Sequence, residues 1–369
     1  MTNKYIQDFN YKINQIRILL ETQDLDGILI TKQSNFSWIT HGRAYVGLAT
    51  EVACANLLVM KNTVYLVAND IEKYRLLNEE LNNLEECIIL INYPWYEENK
   101  KFDLIENLIG SDKFRLDVEY ESEFAIFRST LSELDIEFLR DLSIRTAHIV
   151  EETCRQLCKG MTEYEIAGLV SAKLWKEGIE PVTVLIGCDE RISNYRHPIP
   201  SHNSLNNYAM VAVNARKWGL FSSVTRFVSL TELSLELEDK FNALAIIDAA
   251  FINQTRPGEI VGNIIKTAIH KYEELGYEGE WKLHHQGGLT GYSAREYKAT
   301  AESKEIIQEN QAFAWNPTIT GTKAEDTILI GKDKNEILTY TGEYVYNKIS
   351  YKGENYNIPA VFIKNKTYN

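Results

Sequence analysis

A chain of 369 residues is too long for one ordinary domain and comfortable for two. Its 44% hydrophobic and 25% charged residues supply the apolar surface a globular core needs. A net charge of −13, with no basic stripe interleaved with aromatics, argues against a nucleic-acid surface, which rests on clustered Lys and Arg.

Residues 1–10 lack the apolar stretch of a secretory signal, and apolar runs such as residues 87–91 are far too short to span a bilayer. No membrane association is expected. Ile13, Ile16, Leu19 and Leu20 repeat at helical spacing, and residues 27–31 then read as a short buried strand. Residues 56–60 and 64–67 flank Lys61-Asn62-Thr63 as a hairpin, and 88–91 and 114–118 are further strands around a helix at 101–109. The product is an α/β domain with a mixed sheet over residues 1–125.

Strand signals stop near 119–129, and a second domain is expected over 126–369. Leu134, Phe138, Leu142, Ala147 and Val150 mark a long helix that Gly160 ends in a left-handed turn. Thr162-Glu163-Tyr164-Glu165 has capping-box spacing and opens the next helix. Strands follow at 182–186, 209–213 and 222–228, helices at 233–252 and 260–275, and strands at 311–315 and 327–330. The fold class is α+β, with helices paired against a curved antiparallel sheet. Five scattered cysteines (Cys54, Cys87, Cys154, Cys158, Cys188) show no metal spacing, and Cys154 and Cys158 are expected to pack on one helix face. Reduced cytoplasm is the expected setting.

The segment from Arg128 to Gly160 followed by Met161-Thr162-Glu163 resembles the domain entry of the creatinase, aminopeptidase P and prolidase family (peptidase family M24), whose catalytic domain has the pita-bread fold. Leu25-Asp26-Gly27-Ile28-Leu29-Ile30 followed by Asn35-Phe36-Ser37-Trp38-Ile39-Thr40 is similar to that family's creatinase-type N-terminal domain. In metal-dependent members two Asp, one His and two Glu hold a pair of divalent ions that activate water. Gly219-Leu220-Phe221-Ser222-Ser223-Val224-Thr225-Arg226 fits the frame of the second aspartate, which places Ser223 there and Ala212 at the first, with Asn214 as the nearby polar substitute. His285, with His284 a close second, matches the His ligand. Asn316 stands for one glutamate in Trp315-Asn316-Pro317, and Glu325-Asp326-Thr327 keeps the other.

Ala, Ser and Asn cannot offset two dications, so the resemblance implies a branch with no catalytic metal and no cofactor. His197, in His197-Pro198-Ile199-Pro200, matches the histidine that serves as general acid/base in metal-free creatinase, a role that suits imidazole. The plain alternative is a histidine hydrogen-bonded in a Pro-rich loop. His285 and Glu325 would bind substrate and balance charge, Glu325 orienting a cationic group or sharing the proton. The segment Leu283-His284-His285-Gln286-Gly287-Gly288 resembles the family's His strand, on which adjacent residues face opposite sides, so at most one of the two rings is expected in the pocket and the other in packing or at the surface.

Gly287, Gly288 and Gly291 read as a tight turn rather than a ligand cradle. Tyr292 and Arg295 are substrate contacts or surface residues, and Arg226 and Trp315 either line the vacated site or, for Trp315, pack as core. The leading expectation is a metal-independent hydrolase of a C–N bond in a small amidine, amide or dipeptide-like molecule. A metallopeptidase for Xaa-Pro substrates and a non-catalytic relative that binds a peptide or small molecule are the other readings. Family members of this type form homodimers, and the same is expected here.

Overall fold

The computed structural model describes residues 2–364 and 366. Two compact units are present, Met1–Asp135 and Ile136–Asn369, whereas the sequence placed the division at 125/126. The reason lies in aromatic packing. Trp38 stacks on Phe127 at 5.9 Å and meets Phe124 edge-on at 6.3 Å, which draws the helix Glu121–Ser129 into the first unit.

In chain order the first unit contains α1 (Thr2–Thr22), β1 (Gly27–Lys32), α2 (Gln33–Thr40), β2 (Val52–Met60), β3 (Val64–Asn69), α3 (Lys73–Arg75), β4 (Ile89–Tyr93), α4 (Lys100–Ile109), β5 (Phe114–Leu116) and α5 (Glu121–Ser129). Its sheet has the order β4-β3-β2-β1-β5 and is mixed, with β1–β2 and β2–β3 antiparallel and β3–β4 and β1–β5 parallel. Asp117, buried just after β5, accepts hydrogen bonds from the Thr31 and Lys32 amides and from Asn35 Nδ2, so one carboxylate joins β5 to the start of α2.

The second unit is built on α6 (Glu133–Gln156), α7 (Glu163–Lys176), β6 (Glu180–Cys188), α8 (Glu190–Asn194), β7 (Tyr208–Lys217) and β8 (Leu220–Ser229). There follow α9 (Leu235–Gln254), α10 (Val261–Glu274), β9 (Gly287–Thr290), β10 (Ala312–Trp315), β11 (Asp326–Leu329), β12 (Glu336–Ile337), β13 (Tyr346–Tyr351), β14 (Glu354–Pro359) and β15 (Phe362–Ile363). Two four-stranded sheets, β15-β8-β7-β6 and β12-β11-β10-β9, carry the antiparallel scaffold, and only β15 runs parallel to its neighbour. The capping box at Thr162 is formed in both directions, Glu165 N to Thr162 Oγ1 and Thr162 N to Glu165 Oε2. Gly160 has the left-handed backbone that its position demanded (φ +91). Cys154 is buried but Cys158 is exposed, since α6 ends at Gln156 and the two no longer share a face. All five cysteines are free thiols. Among the described residues no helix is long and apolar enough to cross a membrane.

Period-two alternation on these strands separates a polar face from a core face. On the core side, α9, α10 and the second sheet enclose Phe251, Phe313 and Trp315, the Trp315 ring stacked at 4.7 Å on Phe251 and 5.3 Å on Phe313. Arg226 also lies on this side, fully buried. It donates to Glu151 Oε1 (3.2 Å), Asp326 Oδ1 (2.9 Å) and the Thr225 and Thr339 carbonyls. Burial opposes its charge, but Asp326 and Glu151 more than restore it, raising the guanidinium above its usual range. A buried cluster of this kind is costly to break from one side because the remaining charges cannot reach water. Arg226→Met is therefore expected to destabilise the second unit by about 3–5 kcal/mol, read as a lowered urea midpoint for its unfolding; a change within measurement error would show that the cluster carries no stability.

Candidate active site

The positions matched to the family's metal ligands converge because of register. Ala212 pairs with Thr225 and Asn214 with Ser223 across β7 and β8, so all four side chains share one face. On β11 and the segment before it, alternation sends Asp326 to Arg226 on the far side, while Glu325 turns to the near side and accepts from Thr225 Oγ1 at 2.8 Å. A cavity of about 190 Å³ lies over this face, lined by Thr183, Leu185, Ala212, Asn214 and Asn316 together with the ionisable side chains of His197, His285, Arg295, Lys323 and Glu325.

His197 is carried by the loop after α8, and Glu163 fixes that loop. Its buried carboxylate accepts from the Cys188 amide (2.9 Å), Arg191 Nε (3.0 Å), and the Ser201 amide and hydroxyl (3.0 and 2.6 Å). Arg191 also donates to the Ile199 carbonyl at 2.8 Å. Pro198 packs onto Gly187, where an added Cβ would come within 2.9 Å of Pro198 Cγ. A loop tied on both sides of residue 197 holds an imidazole in place over the sheet.

His284 and His285 do not alternate. They follow a 3-10 turn at Glu280–Leu283 and precede β9, so the strand rule does not reach them. Their rings stack at 4.4 Å, and His284 Nε2 lies 2.9 Å from His197 Nε2. Gln286 fixes the turn by donating to the carbonyls of His284 (2.7 Å) and Trp281 (3.1 Å). Gly287 and Gly288 belong to β9 itself. An added Cβ would stand 2.2 Å from the Ala314 carbonyl oxygen and 2.1 Å from that of Tyr297. Close backbone approach, not a turn or a ligand, explains these two glycines.

Burial first lowers all three imidazoles, followed by the charge of Lys323 at His197 and His284 and of Arg295 at His285; His284 falls to about 3 and His285 to about 4, with His197 also below its ordinary value. All three are neutral at pH 7. The Nδ1 atoms of His284 and His285 are buried without a hydrogen-bond partner. A bare acceptor nitrogen in that position costs less than a stranded N–H. The tautomer this favours has His284 Nε2–H donating to His197 Nε2, with the His197 proton on Nδ1.

Glu325 is the centre of the charge pattern. Lys323 Nζ lies 2.8 Å from Oε2 and Arg295 Nη2 3.0 Å from Oε1, with Thr225 Oγ1 at 2.8 Å and Asn316 Nδ2 at 3.5 Å. Burial works against this carboxylate, but Lys323 and Arg295 outweigh it and hold it at about 2. Arg295 also donates to Ser223 Oγ at 3.2 Å. Lys323 was not anticipated. Residue 323 is two before Glu325 but lies outside β11 (Asp326–Leu329), so no strand pattern marks it.

Of the residues expected to touch substrate, His284, Ser223, Arg295 and Asn316 thus gather with His197, His285 and Glu325. Arg226 and Trp315 do not line this cavity: both point to the core side, the first into its ion-pair cluster, the second against Phe251 and Phe313 with Nε1 donating to Thr255 Oγ1 at 2.9 Å. Tyr292 is buried and is not among the cavity-lining side chains. As a donor set, the five ligand-equivalent positions (Ala212, Ser223, His285, Asn316, Glu325) offer one carboxylate, and two cations already face it. His197, His284 and His285 each offer one ring nitrogen within 4.8 Å of the others, a spacing that suits a single ion, but the neighbouring Lys323 and Arg295 charges oppose one.

The family model for metallopeptidase family M24 matches residues 137–332. The Bacillus subtilis (strain 168) protein YkvY, whose name places it provisionally among the dipeptidases, is 24% identical over 234 residues, spanning 60% of this chain and 63% of that protein. The match thus reaches less than two thirds of the length of that curated relative. The prolidase from Pyrococcus horikoshii OT3 shares the fold with a TM-score of 0.75 at 19% identity, over 90% of this chain and 98% of the other. So does the N-terminal domain of FACT complex subunit SPT16 from Cicer arietinum, with a TM-score of 0.67 at 14% identity over 93% and 96%. With more than half of its length inside the family model and the pita-bread fold behind the cavity, the chain belongs to metallopeptidase family M24.

Proposed function

We propose that the chain is a metal-independent hydrolase of a C–N bond in a small amide-, amidine- or dipeptide-like molecule, with His197 as general acid/base and His284 as its partner. The observation that carries the reading is the occupation of Glu325, whose two oxygens are shared among Lys323, Arg295, Thr225 and Asn316. A dinuclear centre would need that carboxylate and several more, and would add four positive charges to two already present. The donor set does not fit a metal pair.

In the reaction, a neutral imidazole takes a proton from water as its oxygen attacks the carbon of the C–N bond. The same proton then passes to the leaving nitrogen as that bond breaks. The 2.9 Å contact between His197 and His284 lets the conjugate acid share its proton between two rings. With its own proton on Nδ1, His197 has no bare nitrogen for water, so the base-competent form is the other tautomer, in which His197 Nε2–H donates to His284 Nε2, His284 carries its proton on Nδ1, and His197 Nδ1 is bare before the proton transfer. His285 stays neutral and supplies hydrogen bonding rather than charge. Glu325 is a positioning residue in this scheme. Its carboxylate is committed to holding Lys323 and Arg295, in place of neutralising a cationic substrate.

The name of YkvY suggests a dipeptide as the substrate to try first, alongside small amides and amidines. His197→Ala is expected to lower kcat by roughly 10²–10⁴-fold, the span a positioned acid/base contributes, with ligand binding retained. Elemental analysis of the purified protein should find no tightly bound divalent ion, and a chelator should leave turnover unchanged; about two ions per chain would establish the metallopeptidase reading instead. If wild type binds such molecules but turns over none, the chain is a non-catalytic binding relative.

The pH profile gives a separate check. Since His197 must be neutral to accept a proton and its pKa is lowered, kcat/KM should rise with pH along a limb centred below 6.5. A limb centred above 6.5 would remove His197 from the role.

A further inference from the structure

The cavity carries more positive charge than it can balance internally. Among the described lining residues Arg295 and Lys323 are cationic, Glu325 is acidic, and the imidazoles are neutral. Lys298, outside the lining, adds to the field felt by His197 and His285.

The hydrogen-bond inventory points the same way. The Arg295 side chain is only 9% exposed, yet its Nε has no partner. Asn316 Oδ1 is likewise buried and unpartnered. A charged donor and a neutral acceptor, both on residues that line the cavity and both left unmatched, are each unfavourable, and both are relieved by a ligand with an acceptor anion at one point and an N–H at another. About 190 Å³ leaves room for roughly six waters, which limits that ligand to a small molecule.

We infer that the cavity is an anion-binding site, in which Arg295 and Lys323 hold the carboxylate of a small ligand and Asn316 Oδ1 accepts an N–H from the same molecule. The inference rests on the metal-free reading of the cavity. It assigns the positions that would hold dications in metal-dependent relatives to an anion, an inversion of charge preference at one place in the fold. Arg295 and Lys323 are specificity residues in this account, and Glu325 sets how strongly they attract.

Calorimetric titration of the full chain with N-acetylglycine, its neutral counterpart N-acetylglycinamide, and the cation acetamidine tests this. Wild type is expected to bind N-acetylglycine at least about tenfold more tightly than either of the others. Lys323→Gln and Arg295→Gln each leave Glu325 one cationic partner, so the buried carboxylate stays paired and the fold is kept. Each should remove that preference. Glu325→Gln should keep or strengthen it, because the residual positive charge rises, whereas a merely structural triad would lose affinity in all three variants.

Equal affinity for the neutral amide, weakened carboxylate binding in folded Glu325→Gln, or no saturable binding of any probe would overturn the proposal. His197→Ala separates this from the hydrolase reading, since it should lower turnover by roughly 10²–10⁴-fold and leave the anion preference intact. Anion preference in a wild-type protein without turnover would defeat the hydrolase reading alone.

Discussion

One carboxylate organises the second unit's cavity. Glu325 is buried, and a buried charge survives only if it is paired and hydrogen-bonded on all sides. Its four partners come from four separate stretches of chain: Thr225 on β8, Arg295 after β9, Asn316 after β10, and Lys323 in the segment that precedes β11. Satisfying one group therefore fixes the positions of all four. Two of those partners are cations; burial is what chiefly keeps the neighbouring imidazoles unprotonated, and this charge adds to it.

Immediately behind this anchor a second charged cluster faces the other way. Glu325 and Asp326 are adjacent, and strand alternation sends the first to Lys323 and Arg295 and the second to Arg226. Thr225 and Arg226 repeat the pattern on β8. Two neighbouring dipeptides thus hold both networks in register, so that a displacement of either strand disturbs the cavity and the core together. The loop carrying His197 is tied to the same unit independently through Glu163, which leaves the imidazole pair and the charge triad anchored by different elements.

Much of this was legible in the sequence. The period-two runs at 56–60, 64–67, 209–213 and 222–228 all became strands, since each alternates or buries a continuous apolar stretch. The Thr162 cap and the Gly160 stop were local signals with local causes. The convergence of Ser223, His285, Asn316 and Glu325 followed from the family frame. What stayed hidden depended on long-range partners. Trp38 draws Phe124 and Phe127 into the first unit, a contact no local pattern records. His284 and His285 sit outside a strand, so the alternation argument failed for want of the right backbone. Lys323 has no counterpart among the family's ligand positions, so the family frame does not mark it; only its contact with Glu325 does. Arg226 and Trp315 were near the site in sequence and on its far side in space.

The contact between Arg295 and Ser223 bears on how such a cavity responds to change. An aspartate introduced at 223 would meet a guanidinium that already reaches the serine oxygen at 3.2 Å. It would be captured as a salt bridge before it could serve any ion. A glutamate at 316 would likewise enter beside Glu325, within the reach of the same cations. Introducing carboxylates one at a time therefore tightens the existing arrangement instead of opening a cation site. A cation site on this face would demand that both basic side chains leave as acids enter, so no single substitution creates one.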